Sequence, residues 1–376
     1  AERTGKPVKL VLDYSEELMA AAHRHPGVIT LRTGVEQDGT LAAIHARIVF
    51  SGGAYAAFKA NPHVTVLGGR RLASYYRVPA IYVETYCAYT NQVSCTQTRT
   101  PGSPQIVFAS ESQMDIIARD LGLDPVEVRR RNLLDDGDPS PMGEKWQHIQ
   151  VRKTFEKAVK ASGWGRSRPG KNCGRGVALY ERGAPAGKAS AAITLEADGG
   201  VTVLTGCPDV GTGFYTVVQQ IVSETLGAPR ELVKVRFEDT DSLPYDPGTG
   251  GSKSTNTSGH AAYKAAREVR EKLVALAARK LGCQPQEVRQ VKGRYVAVRV
   301  KGFSFVELAR AAVVENGGPV YHLTMYEPKD NPPVTSFAVQ VAEVEVELET
   351  GQVKVKKITT AHDAGVVLNK LTYQGQ

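Results

Sequence analysis

The sequence has five cysteines, and no two of them stand in C-x-x-C spacing. Cys87, Cys95, Cys173, Cys207 and Cys283 are scattered and odd in number. That pattern argues against a disulfide framework, a zinc site and an iron–sulfur cluster. It points to a reducing compartment, so a cytoplasmic location is expected. No apolar run approaches membrane length, and no signal-peptide pattern opens the chain. No fixed-period repeat is present. A Walker loop is excluded because Gly251-Ser252-Lys253-Ser254 breaks its Gly-Lys-Ser/Thr ending. No G-x-G-x-x-G lies between a strand and a helix, which excludes the dinucleotide fingerprint.

The chain has 376 residues, of which 41% are hydrophobic, enough for two buried cores. Its formal charge of +8 permits an anionic ligand or an acidic partner. The charge is spread along the chain, so nucleic-acid binding is the weakest of the readings considered.

Two glycine-rich turns dominate the sequence. Gly211-Thr212-Gly213 runs into a helix over about 215–226. The stretch 248–258, with Thr249, Gly250, Gly251, Ser252, Lys253 and Ser254, runs into a helix ending near Leu281. A helix N-terminus offers unpaired N–H groups and partial positive charge. Glycine lets a ligand approach the backbone, and Ser, Thr and Lys add donors. One such turn is more often an ordinary capped loop. Two of them, about forty residues apart, point to an anion cradle, with phosphate as the anion.

Around these turns the pattern is that of an α+β protein with mixed sheets and flanking helices. Three hairpins are expected, turning at Gln37-Asp38-Gly39, Asp198-Gly199-Gly200 and Thr350-Gly351. Val8–Leu12 and the apolar stretch 64–89 read as strands. Tyr75, Tyr76, Tyr82, Tyr86 and Tyr89 read as core. Ser103 is expected to cap a helix with Pro104 in its first turn. Asp124 opens the next helix, and Ser304 with Glu307 forms a capping box for a later one. Glu111, Glu224 and Glu238 fall in structural or capping positions. The stretch 163–176, GWGRSRPGKNCGRG, is basic and glycine-rich and reads as a linker. It divides the chain into a domain over 1–165 and a second over 174–376, whose terminal hairpin is expected to return to the interface.

Taken in order, these residues carry a resemblance. They include GKPVKLVLDYSEEL, SGGAY, RTPGSPQ followed by ESQMDIIARDLGLDPVEVRRRNLL, and GRGVA. The series continues with DVGTGFYT, QIVSETLG, DTD, GTGGSKST and DAGVVLN, and ends at Gly375-Gln376. The chain resembles the molybdopterin-binding large subunit of the xanthine dehydrogenase/aldehyde oxidase family of molybdenum hydroxylases. The resemblance runs nearly end to end and rests on the order and spacing of the motifs.

It implies two molybdenum-cofactor-binding domains. The cofactor implied is molybdenum–molybdopterin, with the cytosine dinucleotide as one form. The residues implied to contact it are Arg99, Gly102, Gly211, Thr212, Gly213, Thr249, Gly250, Gly251, Ser252, Lys253, Ser254 and Gln376. Thr212 stands where the family has a glutamine. Leu67 and Pro101 align near the family's substrate-contacting arginine and phenylalanine, which argues against a xanthine-type substrate. Thr100 follows Arg99 where the copper-containing CO dehydrogenases have cysteine. No protein side chain is expected to ligate the metal.

The family's general-base glutamate is expected beyond Gln376, and a glycine-rich segment is expected before Ala1. The chain therefore reads as a fragment lacking both ends, or as one piece of a split large subunit, inactive alone. No catalytic residue is assigned within it. The whole protein is expected to oxidise an aldehyde or N-heterocycle with water as oxygen source. Iron–sulfur centres and FAD are expected on partner subunits or domains, with an oligomeric native enzyme and no membrane or nucleic-acid partner. The rival reading is a non-catalytic cofactor-binding or degenerate homologue of the same fold.

Overall fold

The computed structural model describes residues 1–55, 62–166, 170–185, 187–297, 300–328 and 335–375. The chain divides into two compact units. One comprises Ala1–Arg182 with Thr335–Ala364, and the other Gly183–Val334 with Gly365–Gln376.

In the first unit, α1 (Tyr14–Ala20) starts at a capping box. The Asp13 carboxylate accepts the Glu16 amide, and Glu16 reaches back to the Asp13 amide. Val8–Leu12 forms no strand, contrary to its pattern. Alternation alone does not satisfy backbone groups, and no neighbouring chain pairs with it among the described residues. β1 (Gly27–Val35) and β2 (Leu41–Gly53) make the first expected hairpin. The stretch 64–89 is not a continuous strand. It contains α2 (Pro62–Gly69), a turn, and β3 (Ala80–Tyr89). β3 runs parallel to β2, and a parallel neighbour requires a crossover, which α2 helps to supply. Tyr75 and Tyr76 are buried as expected, whereas Tyr82, Tyr86 and Tyr89 are exposed on β3.

Three helices follow: α3 (Ser103–Asp120), α4 (Pro125–Asn132) and α5 (Val151–Ser162). Ser103 lies inside α3, and its N-cap is Gly102 in the left-handed region at φ 77°. The Asp124 side chain caps α4 by accepting the Val126 amide at 2.7 Å. Between α3 and α4 lies a buried polar cluster. Glu111 accepts from Arg129 Nε at 2.9 Å, from the Tyr76 hydroxyl at 3.0 Å and from the Leu179 amide at 3.1 Å. Burial, with the Glu111 charge beside them, pushes the Tyr75 and Tyr76 hydroxyls well above the usual phenol range.

β4 (Cys173–Gly183) begins inside the basic, glycine-rich stretch and remains with the first unit. The compact units exchange at Arg182/Gly183, because β4 pairs with a strand from much later in the chain.

The second unit contains β5 (Ala189–Leu195), β6 (Val201–Thr205), α6 (Phe214–Leu226), β7 (Val233–Arg236) and α7 (His260–Leu281). It continues with β8 (Arg289–Val291), β9 (Arg294–Ala297), β10 (Val300–Ser304), α8 (Phe305–Asn316) and β11 (Val320–Tyr326). β5 and β6 are the second hairpin, and α6 carries the chain over to β7, parallel to β6. The main sheet runs β11-β5-β6-β7. α7 buries Ala262, Ala266, Val269, Leu273 and Leu276 in one core with Ile193, Leu195, Val203 and Val218. Each fully buried Val or Leu is worth roughly 1.5–3 kcal/mol. Ser304 and Glu307 form the capping box of α8.

The third hairpin, β12 (Thr335–Val346) and β13 (Val353–Asp363), rejoins the first unit in the sheet β13-β12-β4. Phe337, Val339 and Val341 share a core there with Phe155, Leu179 and Trp146. α9 (Lys370–Gly375) belongs to the second unit. The architecture is α+β with mixed sheets, as the hairpin pattern implies. No described helix is long and apolar enough to cross a membrane.

Candidate functional site

β6 delivers the chain to the first glycine turn. Gly206 has no room for a side chain, since a Cβ would lie 2.9 Å from both Asp246 Cβ and the Pro244 carbonyl oxygen. Cys207 is buried, and Asp209 follows. The Asp209 carboxylate governs the turn. Its Oδ1 accepts the amides of Gly211 and Thr212, each at 2.9 Å, and of Gly213 at 3.1 Å. Its Oδ2 accepts the Tyr215 amide at 3.3 Å. Gly211 and Gly213 have φ of 92° and 75°, which a Cβ would oppose. The donors that a helix N-terminus would offer an anion are thus taken by the chain's own carboxylate.

The second turn is built differently. Asp246 Oδ1 accepts the Gly248 amide at 2.8 Å, and Oδ2 accepts the Ser258 hydroxyl at 2.6 Å. Burial pushes the Asp246 carboxyl above its usual range. Gly248, Gly251 and Ser252 all have positive φ, of 80°, 66° and 61°. The Thr249 hydroxyl donates to the Pro208 carbonyl. Cys207 Sγ lies 3.3 Å from Thr249 Oγ1 and 3.5 Å from Ser254 Oγ. Cys207 and Pro208 therefore tie the two glycine turns together. Residues Thr255–Gly259 form one π-helical turn leading into α7. Such turns disrupt regular hydrogen bonding and recur at functional sites. Within it Thr257 is fully buried, and its hydroxyl has no partner among the described residues. A buried hydroxyl without a partner carries a desolvation cost of about 1–3 kcal/mol until a ligand or water meets it.

The C-terminal helix packs on the first turn. Gly213 faces Thr372, and Asn369 Nδ2 donates to Gln220 on α6 at 2.8 Å. This brings Gly375 into the same unit as both turns. Gln376 lies outside the described residues.

The remaining candidates sit in the first unit. Gly102 is forced by contact with α2, since a Cβ would lie 3.0 Å from the Gly68 amide nitrogen and nearer still to the Val64 carbonyl. Half-buried Leu67 on α2 and Pro101 before Gly102 therefore lie on directly packed elements. Arg99 is exposed, and its carbonyl accepts from Arg24 at 2.8 Å.

Several residues that shape these turns are given no site role by the sequence, namely Asp209, Asp246, Cys207 and Arg24. The first two have a readable signal. Asp209-Val210-Gly211 and Asp246-Pro247-Gly248 both place Asp two residues before Gly, the pattern of a side chain capping the backbone two residues on. Cys207 and Arg24 act through long-range contacts and carry no local signal.

Comparison with known proteins bears on the whole chain. A family model described as a molybdopterin cofactor-binding domain matches residues 146–376, and a second with the same description matches 1–133. A putative xanthine dehydrogenase molybdenum-binding subunit of Escherichia coli K12 is 32% identical over 99% of this chain and 52% of its own length. The aldehyde oxidoreductase of Megalodesulfovibrio gigas is 28% identical over 100% of this chain and 41% of its own. The crystal structure of quinoline 2-oxidoreductase from Pseudomonas putida 86 superposes with a TM-score of 0.89. It covers 100% of this chain and 52% of that one at 24% identity, a likeness of fold. The chain spans about half the length of the curated relatives it matches first. With two such models spanning nearly all of it, the chain belongs to the molybdopterin cofactor-binding domain family.

Proposed function

We propose that the chain is the cofactor-contacting portion of a molybdenum hydroxylase large subunit that oxidises an aldehyde or N-heterocycle with water as oxygen source. The observation that carries this is the second glycine turn. It combines the N-terminus of the helical run that starts at the π-helical turn Thr255–Gly259 and continues as α7, a cationic Lys253 and the unpartnered buried hydroxyl of Thr257. That donor set suits the phosphate of a pterin cofactor. Gly250, Gly251, Ser252, Lys253 and Ser254 would hold the phosphate. The family resemblance adds Thr249, Arg99, Gly102, Gly211, Thr212, Gly213 and Gln376 as neighbours of the cofactor, with Asp209 fixing the turn that carries Thr212. Bound molybdenum–molybdopterin, free or as the cytosine dinucleotide, supplies the redox chemistry. The residues of the chain bind and orient it.

Relatives named for xanthine, nicotine and aldehyde oxidation support no finer substrate class. Leu67 and Pro101 are the positions proposed to bear on that choice. Two relatives are named as a complex's subunit gamma and as a large subunit, which supports partner subunits in an oligomer. That those partners carry iron–sulfur and flavin centres, and that the assembly is cytoplasmic, is part of the proposal and rests on the family resemblance.

The test is metal and pterin analysis with a dye-reduction assay, on this chain and on the longer native polypeptide. The chain alone is expected to bind substoichiometric molybdenum and to turn nothing over. Removing a general base typically costs about a hundredfold to ten-thousandfold. The longer polypeptide is expected to load fully and to oxidise one of the two substrate classes. Full loading with turnover in the short chain would overturn the fragment reading, and no molybdenum in either would overturn the function. A sulfate soak gives an independent readout, with an anion expected near Ser252 and Ser254. Sulfate elsewhere but not there would count against the phosphate assignment.

A further inference from the structure

The β12–β13 hairpin changes its apolar side halfway along. Near its base, Phe337, Val339 and Val341 face the core of the first unit and are buried. The same face turns charged toward the tip, where Glu343 stands opposite Lys357 and Glu345 opposite Lys354 in the register. On the opposite face the order is reversed. Gln340 and Thr360 are opposed near the base. Further out come Ala342 opposite Ile358, Val344 opposite Val355, and Val346 opposite Val353. Ile358, Val355 and Val353 are 58%, 57% and 58% exposed.

An antiparallel sheet is expected to keep one apolar face and to cover it. Here the outer half presents its apolar face away from the core that the inner half serves. The third strand adds an independent observation. Val177 and Leu179 of β4 are buried in that core, so the alternate residues Gly174, Gly176 and Ala178 lie on the other face. Neither glycine has positive φ. A Cβ on Gly176 would meet nothing within 4 Å, and one on Gly174 only Val344 Cγ2 at 3.8 Å. The backbone conformation and packing of this chain leave room for a side chain at both. Glycine inside a strand commonly marks close approach by another backbone.

We infer that this shelf, made by Gly174 and Gly176, Ala342 and Val344, and Val355 and Ile358, is a docking surface for the remaining half of the same large polypeptide. The inference rests on the reading that the chain is part of a longer subunit. The occupant follows from length, since the first curated relatives are about twice as long as this chain and so carry a comparable mass of polypeptide to place. A flat face of β-branched side chains over glycines suits an apolar strand or helix laid across it.

The experiment compares Val355→Cys with Lys354→Cys, which faces the other way, in this chain and in the longer native polypeptide. Maleimide labelling is read at the introduced position by peptide mass spectrometry. In the longer protein labelling at position 355 should slow by roughly tenfold or more relative to this chain, while position 354 labels alike in both. Amide exchange over 352–358 in the unmodified proteins should fall in parallel. Equal labelling at 355 in a molybdenum-loaded longer protein would overturn this inference and leave the functional reading standing. Protection already present in the short chain would overturn it, and so would protection lost on dilution, which would mean a second copy or a separate subunit. A native polypeptide no longer than this chain would overturn both readings.

Discussion

Gly213 and Thr372 approach so closely that a methyl group on the glycine would lie 3.0 Å from Thr372 Cβ. The glycine also holds φ at 75°, at the N-cap of α6. Gly213→Ala should therefore lift α9 off the turn, at a cost of about 1–3 kcal/mol from backbone strain and crowding. Amide exchange in 371–375 should accelerate while exchange in α7 stays unchanged. Unaltered exchange at α9 would show that the helix does not depend on this contact.

Asp209→Ala removes the acceptor shared by four amides. It should destabilise the second unit by about 1–2 kcal/mol, the range of a lost helix cap. It should also create what the wild-type turn lacks, a vacant anion site at Gly211–Gly213. Sulfate should then raise the melting temperature of Asp209→Ala more than that of the wild type at matched ionic strength. An equal response in both proteins would contradict the capping role.

The Glu111–Arg129 pair is fully enclosed between α3 and α4. Arg129→Met leaves a buried carboxylate without its cation and should cost about 3–5 kcal/mol. The double variant Arg129→Met/Glu111→Leu should recover part of that loss. Denaturant melts of the three proteins provide the measurement, and no recovery in the double variant would show that packing rather than charge sets the penalty.

The Arg152 guanidinium, with Arg77 nearby, holds the Asp135 carboxyl below its usual range. A depressed carboxylate contributes stability above its unfolded value, near 3.9, and loses it as pH falls through the lower folded value. The group is largely exposed, so the contribution is about 0.2–1 kcal/mol after screening. Arg152→Gln should flatten the decline in melting temperature below about pH 4. It should change little at pH 7 beyond a uniform offset.

The domain ranges 1–165 and 174–376 remain a proposal that proteolysis can address. A first cut is expected within Gly163–Gly176. The fragments should stay together on a sizing column, because Phe155 and Ala158 share a core with Val177, Leu179 and Phe337. A first cut inside α7 would refute the boundary.

Hairpins are the most legible elements in the sequence, because Asp-Gly and Thr-Gly turns are local and the alternation beside them is regular. Capping is legible where a side chain does it, at Asp124 and Ser304. It is not legible at Ser103, where the cap is a glycine chosen by the carbonyl of Val64 on another helix. The stretch 64–89 misleads because apolar, β-branched composition does not reveal that a parallel pairing needs a crossover. The two glycine turns stand out in the sequence, but the difference between them does not. That difference lies in Asp209, whose carboxylate fills one turn, and in Thr257, whose hydroxyl leaves a donor open in the other.

The return of β12 and β13 to the first unit also sets a timetable for synthesis. Phe337, Val339 and Val341 complete the core around Phe155, yet 183–334 must leave the ribosome before them. At about 5–20 residues per second that is a wait of roughly eight to thirty seconds. Throughout it, Val177, Leu179 and the buried face of α5 lack the cover that β12 and β13 later give them. The second unit, continuous from β5 to β11, can form its own core in that interval. A chaperone that binds the nascent chain should thus cross-link most strongly to α5 and β4, and should let go once residue 341 has emerged.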